Sequence, residues 1–169
     1  MLITYFDHLT LQSHGKELFW EKWSLPKHCF ILWLTVQRKL RTRDRLPFLP
    51  SDPLVCSASM RRSRMAICFF ACEWTSYLWG KIKSWLWIGR SMTTLYSALH
   101  GLRFGKSNLE ARMRRVSLGI GVYLTLKERN KRIFKGKCLG VDRVFRRFQI
   151  LFNTIFHFHV ADHSRLNVG

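Results

Sequence analysis

Three of the five cysteines are the residues whose type and spacing best fit metal chemistry. Cys56, Cys68 and Cys72 fall within a stretch of 17 residues. A structural zinc site needs four soft ligands in tetrahedral geometry, and the i, i+4 spacing of Cys68 and Cys72 puts both thiols on one face of a helix. No histidine lies between residues 56 and 72 to complete such a set. The competing interpretation is that all three are small, buried hydrophobic side chains.

Groups that carry out catalysis are sparse in this chain. No two Asp residues are adjacent, so the paired carboxylates that hold two metals for phosphoryl transfer are missing. No Gly-rich loop is followed by Lys and Ser or Thr to hold a nucleotide phosphate. His157 and His159 share a face only in a strand, and no nucleophile or acid lies beside them. The sequence therefore predicts a protein that is not an enzyme and has no small-molecule substrate.

Positive charge is the strongest feature of the composition. The chain has 29 Lys and Arg against 10 Asp and Glu, a formal net charge of +19. Residues 1–60 hold eight of these cations and five acids, whereas residues 61–169 hold 21 cations and five acids. Such a concentration attracts polyphosphates and releases their counterions, although anionic membranes and acidic proteins attract it too. We therefore expect nucleic acid, either RNA or DNA, as the partner.

The arginines expected to contact phosphate fall into three groups along the chain. For each arginine taken singly, a solvated helix face is the alternative interpretation. The candidates are Arg61, Arg62, Arg64, Arg112, Arg114, Arg115, Arg143, Arg146 and Arg147. The short run at 61–64 also matches a nuclear-address pattern, although such runs are common by chance.

Apolar spacing predicts a mainly α fold. A helix should begin at Pro26 and fade before Pro47, a second should cover 72–88 with Gly89 as its C-cap, and a third should follow Ser91 as far as residue 100 or 102. A fourth helix is expected from Leu109 to Leu126, with a strand at 116–126 as the competing interpretation. A fifth covers the stripe at 141–156, and 157–169 shows no period. All seven Trp lie between positions 20 and 87, so we expect short-to-medium helices around a Trp-rich core.

Membrane and secretion signals are not found in the sequence. The longest stretch without Asp, Glu, Lys or Arg, residues 148–161, is shorter than the roughly 18 residues that a transmembrane helix needs. Residues 1–11 lack the basic and then apolar pattern of a signal peptide. With an odd number of cysteines, we expect no disulfide framework and a reducing compartment.

A series of short motifs, in a fixed order, matches a known family. The residues that carry the match are Trp23, Leu25-Pro26-Lys27-His28, Phe30, Leu32-Trp33, Leu40-Arg41-Thr42-Arg43-Asp44-Arg45-Leu46, Cys56, Phe69-Phe70-Ala71-Cys72, Leu78-Trp79, Trp85, Arg129-Asn130, Arg132, Phe134 and Gly136. Together they resemble the zinc-binding region at the C-terminal end of plant non-LTR (LINE-type) retrotransposon reverse transcriptases. The resemblance runs from about Trp20 to Lys137.

The resemblance implies a zinc site, but the site is incomplete in this chain. The family holds its metal with Cys, Cys, His and Cys, and the matching positions here are Cys56, Ser59, Ile67 and Cys72. Cys68, next to Ile67, is the candidate for a third thiolate. A complete structural site supplies roughly 10–16 kcal/mol of apparent stabilisation, most of which two thiolates cannot supply. We therefore expect zinc to be held poorly or not at all.

The resemblance also implies a function and a division of the chain. The expected domains are a lead-in at 1–24, a reverse-transcriptase zinc-binding-like domain at 25–105 with an irregular, knuckle-like Cys segment, a basic helical extension at 106–157 and a tail at 158–169. The implied function is a non-enzymatic, retrotransposon-derived module that binds nucleic acid weakly through basic helices. The alternative is a decayed retroelement fragment that acts as a protein- or membrane-interaction segment through the apolar side of 141–156, unless that side covers the chain's own core.

Overall fold

The fold of the chain, taken from a computed structural model, is mainly α. The structure describes residues 23–37, 39–40, 69–70, 72–89, 92, 94–100, 108–137 and 139–166. Within these ranges it contains five helices and no strand: α1 (Pro26–Val36), α2 (Glu73–Trp85), α3 (Leu95–His100), α4 (Leu109–Lys135) and α5 (Val141–Leu166). The predicted fold class is confirmed, and the strand considered for 116–126 is wrong because this segment lies in the middle of α4. Cys56, Cys68 and the Arg61–Arg64 run lie outside the described residues.

Helix α4 runs through the centre of the molecule. Every residue from 116 to 122 is buried, so neighbouring elements surround this part of the helix on all sides, as a helix that is apolar all round requires. Helix α1 packs against one side of α4, while α2 and α5 pack against it elsewhere and against each other. The buried side chains form a cluster that draws on positions between 23 and 155.

The helix starts follow local capping chemistry. Pro26 occupies the first turn of α1, as its fixed φ favours. Asn108 caps α4 by accepting a hydrogen bond from the Ala111 amide at 3.0 Å. Thr94 and Ser97 satisfy each other's backbone amides through their hydroxyls, each at 3.0 Å. This reciprocal capping box explains why α3 begins at Leu95, later than predicted.

Four helix ends differ from the prediction. Helix α1 already ends at Val36, well before Pro47, and α4 continues past Leu126 to Lys135. Helix α2 is capped at Leu86, before the predicted Gly89, because Trp87 takes a left-handed backbone conformation with φ 54°. Helix α5 continues to Leu166, past the end of the apolar stripe at Phe156. The Trp23 ring packs on this later part of α5, edge-on to Phe156 at 5.9 Å and stacked on His159 at 5.2 Å. This long-range contact cannot be seen in the helical period of α5 itself.

Aromatic packing joins α2 to α5. The Trp85 ring meets three phenylalanines of α5 edge-on, with centroid distances of 6.4 Å to Phe145, 6.0 Å to Phe148 and 5.2 Å to Phe152. Edge-to-face pairs of this kind add to the free energy gained by burying the rings. The predicted Trp-rich core is therefore confirmed, and the phenylalanines of α5 form its other half.

Helices α2 and α4 come closest where Trp79 lies on Gly121. A Cβ atom added at Gly121 would be 2.8 Å from Trp79 Cζ3 and closer still to Cη2. The indole has little freedom to retreat, because its Nε1 donates a hydrogen bond to the Phe69 carbonyl at 2.8 Å and its ring stacks on Phe70 at 5.1 Å. Glycine at this position, unfavourable in a helix interior, is thus required by packing.

We expect Gly121→Ala to lower the free energy of unfolding by about 1–3 kcal/mol, since overpacking would outweigh the gain in helix propensity. Gly119→Ala is the matched control, because its added methyl would lie 3.5 Å from His28 Cβ, an ordinary contact, and should raise stability by up to about 1 kcal/mol. Denaturant unfolding followed by circular dichroism measures both. Equal effects of the two substitutions would contradict the close packing of α2 on α4.

Candidate functional site

The end of α4, the connection and the start of α5 form a strongly cationic helical hairpin. Residues 127–147, called here the basic hairpin, contain nine Lys and Arg and two acids. Gly136 ends α4 with φ 58°, and its amide donates to the Arg132 carbonyl at 3.2 Å. The connection is held from α2, because Trp74 Nε1 donates to the Leu139 carbonyl at 3.4 Å and the Arg132 guanidinium lies 4.5 Å from the Trp74 ring centroid.

Both carboxylates of the basic hairpin already have cationic partners. Glu128 is only 1% exposed, and its Oε1 accepts a hydrogen bond from Lys131 Nζ at 2.8 Å and lies 3.6 Å from Arg147 Nη1. Asp142 pairs with Lys81 of α2 at 2.9 Å, and this hydrogen bond raises the pKa of Lys81. Of the remaining cations, Lys127, Lys135, Lys137, Arg143 and Arg146 are exposed and have no carboxylate partner in the described part of the chain, whereas Arg129 and Arg132 are half-buried.

The structure divides the predicted arginines of α4 and α5 into two places. Arg143 and Arg146 are exposed on α5, and Arg147 borders them while contacting Glu128. The other three lie near the start of α4, where Arg114 is paired with Glu110 and the Arg112 guanidinium lies 5.6 Å from the Trp23 ring centroid. At 1.5 Å per residue, Arg115 is roughly 18 Å along the helix from Lys127, so these arginines do not join the basic hairpin.

A cleft between α1 and α4 adds lysines that the sequence analysis did not select. Its volume is about 460 Å³, and Ile31 and Leu126 form its apolar part. The other lining residues are Tyr123, Lys127, Asn130, Lys131, Phe134 and Lys135. We call the space enclosed by these eight residues the lysine cleft. The i, i+4, i+8 spacing of the three lysines on α4 was a usable signal, because it puts them on one helix face.

Two lysines rest on the aromatic ring at the edge of the lysine cleft. The Nζ atoms of Lys27 and Lys127 lie 5.5 Å and 5.9 Å from the Tyr123 ring centroid, distances at which a cation is attracted to the ring face. Behind this ring lies His28, which is 1% exposed, with a centroid distance of 4.8 Å. Burial, assisted by the charge of Lys27, lowers the pKa of His28 to about 4. The imidazole is therefore neutral at pH 7 and supports Tyr123.

Cys72, the one candidate metal ligand that the structure describes, caps a helix. Its Sγ accepts a hydrogen bond from the Thr75 amide at 3.4 Å and lies 3.0 Å from Thr75 Oγ1. Within the described ranges, no three His, Cys, Asp or Glu side chains are grouped so that they could hold a metal. The zinc set of Cys56, Cys68 and Cys72 stays a prediction, since two of its members lie outside those ranges.

Two further observations concern membrane-spanning helices and similarity to known proteins. Among the described helices, none combines the length and the apolar character needed to cross a membrane. No family model, no curated protein and no solved structure matches the chain in comparisons of sequence and fold.

The buried carboxylate of Glu128 predicts a specific pattern of stability changes. Lys131→Ala combined with Arg147→Ala should lower the free energy of unfolding by about 3 kcal/mol, because it leaves a buried charge without a partner. Adding Glu128→Leu should restore most of the loss, as measured by denaturant unfolding.

Removal of two exposed cations, Lys127→Ala with Arg143→Ala, is the matched control, since it changes the net charge equally and leaves Glu128 paired. We expect it to change stability by less than about 1 kcal/mol. A comparable loss in both double variants would show that Glu128 does not depend on its two cations.

Proposed function

We propose that this protein is a non-enzymatic module that binds RNA or DNA through the basic hairpin. The observation that carries the proposal is the pairing of both hairpin carboxylates within the fold, Glu128 with Lys131 and Arg147 and Asp142 with Lys81. The exposed cations that remain lie on the last turns of α4, on the connection and on the first turns of α5. Phosphate groups are the partners that such a surface attracts most strongly, because each contact also releases counterions from the nucleic acid.

The proposed origin is a retroelement, from the resemblance to the zinc-binding region of LINE-type reverse transcriptases. Two of the matching motifs have structural roles in the described part of the chain. Phe69 and Phe70 are buried and Cys72 caps α2, while Gly136 provides the left-handed residue that ends α4. These roles support the resemblance, because each motif residue occupies a place where its particular chemistry is used.

The apolar side of α5 supports nucleic-acid binding over the membrane alternative. Val144, Phe148, Phe152 and Ile155 are all buried against the chain's own helices. A membrane surface or a polymerase domain would need this side to be uncovered. The exposed side of the first turns of α5 instead presents Arg143 and Arg146.

The proposal includes a fold that does not rely on zinc. We expect metal analysis of the purified chain to find well below one tightly held zinc, and a circular dichroism melt to be unchanged by added zinc. Cys72→Ser separates the two roles of this residue, because serine keeps a good N-cap but replaces the thiolate. One zinc per chain that Cys72→Ser removes would contradict the proposal, whereas unchanged folding of this variant supports it.

Salt dependence tests the proposed interface directly. For single strands the slope of log K against log salt is about −0.7 per phosphate contact, so Arg143→Gln with Arg146→Gln should make the slope shallower by about 1.4 in anisotropy titrations. Arg114→Gln is the control, because Arg114 is paired with Glu110 at the far end of α4, and its slope should match that of the unmodified chain. Failure of the unmodified chain to bind oligonucleotide or heparin at physiological salt would refute the function.

A further inference from the structure

We propose that the lysine cleft binds an unpaired nucleobase of a single strand while its lysines hold the neighbouring phosphates. This inference rests on the proposed function and deepens it, because it makes single-stranded nucleic acid the preferred ligand. The cleft adjoins the arginines of α5, but its aromatic side chains can be changed without altering those arginines. Insertion of a base and contact with phosphates can therefore be tested separately.

The cleft has the size and the side chains that a base requires. Its volume of about 460 Å³ lies within the roughly 300–1,000 Å³ of small-ligand sites. Phe134 is 65% exposed at its border, so one face of an aromatic ring is available for stacking, which suits any base. The Asn130 side chain, exposed beside it, offers both a donor and an acceptor for the edge of a base.

The charge of the cleft favours a phosphate backbone as the remainder of the ligand. Lys127, Lys131 and Lys135 follow one another at about 6 Å along α4, four residues apart. The nearest described carboxylate is Glu128, which is buried and paired with Lys131. Lys27 and Lys127 have the Tyr123 ring beneath them and no ion pair with a carboxylate of the described ranges. An anion entering the cleft could therefore contact Lys127 and Lys135 without displacing an acidic side chain, whereas Lys131 is already paired with Glu128.

The cleft is continuous with the proposed interface on α5. Lys131 lines the cleft and shares the Glu128 oxygen with Arg147. A strand that places one base in the cleft thus meets Arg147 and then Arg143 with its adjoining phosphates. A duplex lacks an unpaired base to insert, so it can contact the cations of this surface with its phosphates but cannot fill the cleft.

The experiment compares anisotropy titrations of short oligothymidine, an abasic strand of equal length and a duplex. Phe134→Ala should weaken oligothymidine binding by about 5- to 150-fold, the range for loss of one stacked base, and leave duplex and abasic binding unchanged. Phe158→Ala is the matched control, because Phe158 is 70% exposed on α5 and does not line the cleft. This variant should bind all three ligands as the unmodified chain does.

Cross-linking of an iodouracil-containing strand to the unmodified chain provides a test that needs no variant. We expect the cross-linked peptides to contain Tyr123 or Phe134, and cross-links confined to other segments would overturn the inference. Equal binding of oligothymidine by Phe134→Ala and the unmodified chain would overturn it as well, while preserving the proposed function if the salt dependence remains. A polyglutamate that displaces oligothymidine from the cleft as readily as an equally charged strand would show recognition of charge without bases, and would also refute the inference.

Discussion

The contact between the Trp79 indole and the backbone of Gly121 is the constraint on which the described fold depends. It holds α2 against the central helix at a distance that any side chain at position 121 would prevent. The hydrogen bond from Trp79 to the Phe69 carbonyl fixes the indole in this position. With α2 placed in this way, Trp85 meets the phenylalanines of α5 and Trp74 meets the connection between α4 and α5. The orientation of the basic hairpin thus depends on the aromatic packing of α2 against α4 and α5.

Electrostatic repulsion within the basic hairpin has to be offset by this packing and by an internal counter-charge. Nine cations within 21 residues repel one another, and a Debye length of about 8 Å at physiological salt screens neighbours on adjacent helices only partly. Glu128 lies beneath Lys131 and Arg147 and neutralises part of this charge from the inside. Because this carboxylate is buried, it lowers the repulsion without covering the outer cations. The same arrangement explains how the hairpin can stay folded and still attract an external anion.

The sequence predicts the elements of this fold better than it predicts their surfaces. Pro26, the apolar periods and the glycine at position 136 are local signals, and the helices they indicate are present. Position 128 continues the buried four-residue series from Ile120 and Leu124, so the burial of Glu128 was within reach of the same reasoning. The lysine cleft could not be predicted in this way, because its position depends on which face of α1 packs against α4. The extension of α5 to Leu166 likewise depends on Trp23, a residue far away in the chain.

Hydrogen bonds around Cys72 stabilise the start of α2, the segment that carries a metal ligand in the retrotransposon family that the sequence resembles. Cys72 accepts a hydrogen bond from the Thr75 amide through its sulfur, which also lies against the Thr75 hydroxyl. Ser76 and Trp79 bind the carbonyls of Phe70 and Phe69 just before it. These contacts fix the start of α2 through side chains of the helix itself. Replacement of ligands at positions 59 and 67 would then remove a cofactor without removing the surface that carries the charge, which is the property that the proposed function requires.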